Sequence, residues 1–337
     1  MAANGLPIVR KWDYRVPNRN FRREMREIST LRREGTMATA VSAIASLNAE
    51  VRLGRLFVPV DFSPISDRAV DYAKRIARRH QAELVLAHVN QPVNPMAVPD
   101  AVWCHLQAAE RKEQTRLAQM GEQLRAEGLN ARTITLHGLV QDEIPCCSKQ
   151  ECTDLIVLGA HIKSGIERLL FGSDTEVLFR HAGCPVLVIG PEIRPAPERD
   201  WRLDDVICAS DLRPESAQTA AYAWKLAKKY DAVFTLLNVE CSSAKSTAAD
   251  QVRTRFEQSL TQYLPEDAPS AAAKLRSLPQ EHRSCPATIV AFAKERRSDL
   301  IVMGAHATTH AATRLLRGTA AQVIAESPCP VLVLNTN

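Results

Sequence analysis

Nowhere in this 337-residue chain does an apolar run approach the roughly 18 consecutive residues a membrane-spanning helix needs, which excludes an integral helical membrane protein. Its start lacks the basic, apolar and small-residue segments of a secretory signal. Without such a signal, the nine cysteines point to a reducing cytoplasm rather than a disulfide framework. Several chemical signatures are also missing. There is no Gly-x-x-x-x-Gly-Lys-Ser/Thr loop and no Gly-x-Gly-x-x-Gly after a first strand, so Walker ATPases and ordinary NAD enzymes are excluded. The Ser-Gly-Gly-x-Asp-Ser loop of ATP pyrophosphatases, the paired histidines of nucleotidylyl transferases and the Gly-x-Ser-x-Gly elbow of serine hydrolases are absent as well.

What is present is an ordinary globular composition, 45% apolar and 24% charged, of a length that suggests two domains. The charge is unevenly placed. Residues 1–36 hold nine Lys/Arg against four Asp/Glu, and the remaining chain holds 34 of each sign. A body at neutrality predicts neither specific nucleic-acid binding nor a membrane-surface role. The leader lacks apolar periodicity, so residues 1–54 read as a basic segment without a packed fold, and Met37 offers an alternative start.

Beyond the leader the chain repeats itself. Leu56-Phe57-Val58-Pro59-Val60-Asp61 lines up with Val206-Ile207-Cys208-Ala209-Ser210-Asp211 at an offset of 150. Asp154-Leu155-Ile156-Val157-Leu158-Gly159-Ala160-His161 matches Asp299-Leu300-Ile301-Val302-Met303-Gly304-Ala305-His306 at an offset of 145, as Cys184-Pro185-Val186-Leu187-Val188 matches Cys329-Pro330-Val331-Leu332-Val333. Three blocks in one order in both halves make an internal duplication.

In the first half, short β-branched runs at 56–60, 83–89, 131–137, 154–159 and 185–189 are apolar on consecutive positions, as strands covered on both faces are. Between the first two, Ala69, Tyr72, Ala73, Ile76 and Ala77 fall three and four apart, which buries one face of a helix. Ser63 or Ser66 can cap it, with Pro64 in its first turn. Longer helical stretches are expected at 100–127 and 248–264. The fold class is α/β: two tandem doubly wound domains, each an open five-stranded parallel sheet flanked by helices. They span 55–190 and 205–337, with the proline-bearing segment 191–204 as linker.

Ligands of doubly wound sheets sit beyond the carboxyl ends of the strands. Three features fall there in each half. An aspartate, Asp61 or Asp211, closes strand one and is open to two roles, hydrogen-bonding a ligand or capping the next helix. A glycine, Gly159 or Gly304, allows close approach of backbone to phosphate or serves a plain turn. Gly172-Ser173 and Gly318-Thr319 open the last helix, whose free N–H groups suit an anion.

Taken together, these blocks resemble the universal stress protein family in tandem. The resemblance rests on the strand-one aspartate, the glycine loop and the final Cys-Pro-Val-Leu-Val strand. It implies an ATP site, and a last strand that mediates dimer contacts, here between the two halves, with further homo-oligomers open to the same fold. Position by position it implies Asp211, Val239, Met303, Gly304, His306, Gly318 and Thr319 in the second half. In the first half it implies Pro59, Asp61, Val89, Leu158, Gly159, His161, Gly172 and Ser173.

Both loops depart from the family pattern. Ile162 replaces a glycine in the first half and Asp174 sets a negative charge beside the anion position; the second half has the smaller Ala307, with Arg314 and Arg317 able to pair with phosphate. Nucleotide is therefore expected in the second half before the first. The cysteines 146, 147 and 152 read as core packing rather than a metal centre, and His88 as a strand-end residue rather than a base. No catalytic group or metal ligand is assigned, and slow ATP hydrolysis has no evident base. Two functions stand: a non-enzymatic stress-associated regulator that binds ATP, or a nucleotide-free scaffold.

The leader has few apolar residues to offset the backbone ordering cost of about 1–2 kcal/mol per residue. A chain beginning at Met37 is expected to keep the melting temperature of the full chain within error, measured by circular dichroism. A clear drop would show that the leader packs on the body.

Overall fold

The computed structural model describes residues 51–91, 93, 99–160, 179, 181–194, 201–213, 216–240, 251, 254, 256–258, 275–279, 284–305 and 319–335, and most of the leader lies outside them. The first half runs β1 (Arg55–Pro59), α1 (Pro64–His80), β2 (Glu83–Asn90), α2 (Asp100–Ala126), β3 (Ala131–His137), α3 (Val140–Gln150), β4 (Leu155–Gly159) and β5 (Val186–Ile189). The second runs β6 (Asp205–Ala209), α4 (Ser216–Tyr230), β7 (Val233–Glu240), β8 (Leu275–Pro279), α5 (Cys285–Arg296), β9 (Leu300–Ala305), α6 (Thr319–Glu326) and β10 (Val331–Asn335). No helix among the described residues is long and apolar enough to cross a membrane.

Local chemistry sets these boundaries. Ser63 is the N-cap of α1, its side chain accepting a hydrogen bond from Ser66 N–H, and Pro64 starts the helix where no N–H is needed. Ala69, Tyr72, Ala73, Ile76 and Ala77 are buried, and Gln81 ends the helix in the left-handed region. Asp154 Oδ2 accepts from the N–H groups of Gly54 and Arg55 at 2.8 and 2.9 Å, tying the start of β4 to the start of β1. Asp299 does the same for Asp204 and Asp205 at 2.7 and 3.0 Å.

The strands form one ten-stranded sheet in the order β3-β2-β1-β4-β5-β10-β9-β6-β7-β8. Within each half every described pairing is parallel. Only at the seam do strands run antiparallel, with Val186 opposite Val333, Leu187 opposite Leu332 and Val188 opposite Val331. The last strands of the two halves meet, as the family resemblance implied. The pairing is centred on Leu187 and Leu332, which are each other's counterparts in the repeat, so a pseudo-dyad passes between them.

Alternate residues feed two cores. Leu56, Val58, Leu187 and Leu332 pack on one face with α1, α2 and α4, while Phe57, Val186, Val188 and Val331 pack on the other with α3, α5 and α6. Each core runs across both halves. Val51 and Leu53 lie in the segment assigned to the leader, yet both are buried, and Lys229 Nζ donates to Val51 O at 2.7 Å. Ile193 and Leu203, from the linker, are buried as well. The apolar side chains flanking the two domains thus belong to the packed body.

Strain repeats with the sequence. The six described non-glycine residues with positive φ form three counterpart pairs: Phe62 with Leu212, Gln81 with Asp231, and Cys152 with Arg297.

Across the seam, two further counterparts touch. His80 Nε2 and Tyr230 Oη share a hydrogen bond at 2.5 Å, and Trp201 donates to Tyr230. Tyr72 meets Trp201 edge to face, ring centroids 6.0 Å apart. Each ladder hydrogen bond and each aromatic pair contributes about 0.5–1.5 kcal/mol, so this aromatic packing and the shared cores add to what the three register pairs hold.

Burial, then Lys229 and Arg79, bring the His80 pKa down from 6.5 to about 4. Between pH 6.5 and 4 the unfolded chain binds a proton that the folded chain refuses, so stability falls as pH drops through that window. His80→Gln keeps an acceptor without titrating. Its melting temperature is expected to fall less than the parent's between pH 7 and 4.5, and equal slopes would refute the assignment.

Candidate functional site

In each half the chain leaves the first strand to one side for β2 and β3, or β7 and β8, and returns on the other side for β4, or β9. In doubly wound sheets the ligand crevice lies at such a reversal, which here falls at the carboxyl ends of β1 and β4 and at those of β6 and β9. Some of the sequence-predicted residues lie at these strand ends. Pro59 is buried and ends β1, with Asp61 just beyond it and Leu158 and Gly159 closing β4. In the second half Met303 lies on β9 opposite Ala209 of β6, next to Gly304, with Asp211 exposed beyond β6. Val89 and Val239 lie near the ends of β2 and β7, and Thr319 is the first residue of α6. His161, Gly172, Ser173, His306 and Gly318 lie outside the described residues, as do Ile162, Asp174, Ala307, Arg314 and Arg317.

Both aspartates make the same turn. Asp61 Oδ1 accepts from Ser63 N–H at 3.0 Å and from Ser63 Oγ–H at 2.5 Å. Asp211 Oδ1 accepts from Arg213 N–H at 3.1 Å and from Ser216 Oγ–H at 2.6 Å. These two-residue turns carry the chain from strand to helix, and the residue inside each, Phe62 or Leu212, is left-handed. Asp61 is not the N-cap of α1, a place Ser63 takes. Arg213 Nε also stands 3.3 Å from Asp211 Oδ2, placing a cation against the second-half carboxylate.

Gly159 has a steric reason of its own. A Cβ there would stand 2.6 Å from Ile65 O and 2.9 Å from Ser66 N, so the glycine lets the end of β4 pass under the first turn of α1.

The ends of β2 and β7 are tied to the strand beside them in matching fashion. His88 Nδ1–H donates to Val60 O at 2.7 Å, and Asn238 Nδ2–H donates to Ser210 O at 2.9 Å. His88 is a positioned strand-end residue, as expected, and its other ring nitrogen lies 3.5 Å from Glu113 Oε2. Above it the two halves differ. Phe62 meets His88 at a 40° tilt with ring centroids 4.6 Å apart, and the Arg116 guanidinium of α2 lies 4.9 Å over the Phe62 ring. Sequence reasoning passed over Phe62 and Arg116, although Phe62 directly follows the strand-one aspartate.

Of the three cysteines expected to pack in the core, Cys147 is buried, whereas Cys146 and Cys152 are exposed on and just after α3, because they fall on its solvent side. Burial pushes the Cys147 thiol up to about 11 and those of Cys208 and Cys329 up to about 12, which keeps all three protonated near neutrality. No group of three His, Cys, Asp or Glu side chains among the described residues is placed to hold a metal.

Such an arrangement defines a class: a duplicated, doubly wound α/β protein with one crevice per half at the strand reversal. The sequence profile of the universal stress protein family matches residues 53–190 and again 203–335, and the chain belongs to that family. Universal stress protein MJ0531 of Methanocaldococcus jannaschii is 30% identical over 150 residues, covering 42% of this chain and 88% of that protein. Universal stress protein Rv1996 of Mycobacterium tuberculosis is 31% identical over 160 residues, covering 42% of this chain and 49% of its own. Among solved structures, a universal stress protein from Archaeoglobus fulgidus superposes with a TM-score of 0.63 at 20% identity, over 86% of this chain and 98% of that one. A functionally unknown protein, PA1789 of Pseudomonas aeruginosa, does so with a TM-score of 0.56 at 18% identity, over 86% and 94%. These likenesses extend the fold across both halves.

Gly159→Ala is expected to cost about 1–3 kcal/mol of stability, the usual penalty of overpacking, because the new methyl group meets backbone rather than a flexible side chain. Urea denaturation measures it. A neutral substitution would show that β4 and α1 are not in this contact.

Proposed function

We propose that the chain is a cytoplasmic, stress-associated regulatory protein that binds ATP in its second half and acts through partners rather than by catalysis. The observation that carries this reading is the placement of Asp211, Met303 and Gly304 at the carboxyl ends of neighbouring strands β6 and β9, where the strand order reverses. There the Asp211 carboxylate would accept a hydrogen bond from a ribose hydroxyl or the adenine amino group. Val239 would line the base, and Gly304, His306, Gly318 and Thr319 would serve the phosphates, with Arg314 and Arg317 adding positive charge. The role assigned is binding, with the Asp211 carboxylate engaged in holding ligand rather than in moving a proton.

In the first half Pro59, Asp61, Val89, Leu158, Gly159, His161, Gly172 and Ser173 form the weaker candidate, because Ile162 and Asp174 oppose a phosphate there. The second reading is a nucleotide-free scaffold whose duplicated fold supplies interaction surface alone. One observation favours it: the Asp211 carboxylate is already engaged by Arg213 and Ser216.

Isothermal titration of the full chain with ATP separates the two. Asp211→Ala is expected to weaken binding by about tenfold or more, since a hydrogen bond to a charged group contributes about 1.5–3 kcal/mol. Asp61→Ala should leave affinity unchanged while costing about 0.5–1.5 kcal/mol of stability through its lost turn. Equal losses in the two variants would refute the ranking, and no heat from the parent would leave the scaffold reading.

A further inference from the structure

The sheet ends in two edge strands, β3 and β8, and the sequence treats them differently. Among the described residues no strand covers the far side of either. Leu84 N–H donates to Asn130 O and Gly138 N–H donates to Asn90 O, so the even-numbered residues of β3 turn their peptide groups toward β2. The peptide groups of Ala131, Thr133, Thr135 and His137 therefore point outward. Ala131 O accepts from Arg125 Nη1 at 2.9 Å, and no described backbone group pairs with the others. Residues 132–136 are only half-buried, although helices cover the sheet on both faces.

The opposite edge is blunted. Glu240, the counterpart of Asn90, stands opposite Pro279, as Asn90 stands opposite His137. Pro279 thus puts a residue without an N–H at an outward position. By the same register the exposed Arg276 takes the place of Ile134. Proline and exposed charge are two means by which sheet edges are kept from pairing. β3 has no proline, and its own arginine, Arg132, is drawn back to Glu83 and Glu151.

β3 also matches itself. Laid antiparallel about Ile134, Thr133 faces Thr135 and Ala131 faces His137, each an outward residue against an outward residue, as antiparallel hydrogen bonding requires. Threonine pairs favourably across strands, and no like charges are opposed. The charges beside the strand agree with this arrangement. Arg125 is fixed at the amino end by Ala131 O, whereas Glu110 lies 3.7 Å from His137 at the carboxyl end, with Glu143 against Gly138. Antiparallel pairing carries the cation of each copy to the carboxylates of the other.

We infer that the outer edge of β3 docks a second copy of this chain, whose own β3 pairs with it antiparallel about Ile134 and joins the two ten-stranded sheets into one. The contact is isologous and closes on itself, and the blunted β8 edge ends the assembly at two copies. This surface is separate from both crevices and does not depend on the nucleotide reading.

Sedimentation equilibrium of the full chain at tens of micromolar is expected to give twice the chain mass. Thr135→Pro removes an outward N–H where an edge strand admits proline, and Ile134→Arg copies Arg276 and opposes two cations on the axis. Both are expected to sediment as monomers with the circular dichroism of the parent. A monomeric parent, or a dimer that persists in both variants, would overturn the inference. A chain beginning at Met37 is expected to stay dimeric; its dissociation would hand the contact to the leader and overturn the inference as well. Hydrogen exchange of the unaltered chain, read by mass spectrometry, needs no substitution. Dilution to the monomer is expected to speed exchange in residues 131–137 and to leave 275–279 unchanged, and a β3 peptide that does not respond would refute the pairing.

Discussion

The antiparallel pairing of β5 with β10 is the constraint on which the remainder of the architecture depends. Each half alone would end its parallel sheet in a short strand of buried apolar residues, Val186–Ile189 or Val331–Leu334, with an open row of backbone donors and acceptors. Laying one such edge against the other removes both. The pairing also brings α1 and α4 together on one face, where His80 meets Tyr230 and Trp201 meets Tyr72. Because Leu187 faces Leu332, its own counterpart, the pseudo-symmetry follows from the register of one strand pair.

The seam leaves both crevices at the far ends of their strands and lets them diverge. The turn after the first strand is kept in each half: an aspartate accepting from the residue two ahead, with a left-handed residue between. Such φ values in non-glycine residues carry a conformational cost, and they persist where the surroundings hold them. Upon this common turn the halves place different side chains, phenylalanine over histidine in one, leucine beside asparagine in the other. Duplication has preserved the backbone device while the groups above it have changed.

The amino ends of the strands carry a different kind of chemistry. Glu83 is gripped by Arg132 at 2.6 Å and Arg55 at 2.7 Å, and Arg132 goes on to Glu151. Burial presses the Glu83 carboxyl upward, but the hydrogen bonds from Arg132 and Arg55 outweigh it and hold its pKa below the ordinary value. In the second half the signs are exchanged: Asp205, the counterpart of Arg55, pairs with Arg296, the counterpart of Glu151, and accepts from Ser298. This end is tied by paired charges, whereas the carboxyl ends carry the exposed aspartates.

Much of this was legible in the chain itself. The matching blocks at offsets of 150 and 145 declared the duplication, consecutive apolar runs marked strands buried on both faces, and Ser63-Pro64 marked the start of a helix. These are patterns within a few residues or repeats of a whole block, and local backbone preference and burial write them directly into sequence. The roles of Gly159 and Phe62 were not legible, since each depends on what the fold brings near. Gly159 is small because Ile65 of α1 lies above it, and Phe62 meets an imidazole and a guanidinium because β2 and α2 bring His88 and Arg116 to its ring. Sheet order decides such neighbours, and it is set by how all the strands bury their two faces together, which no single segment of the chain contains.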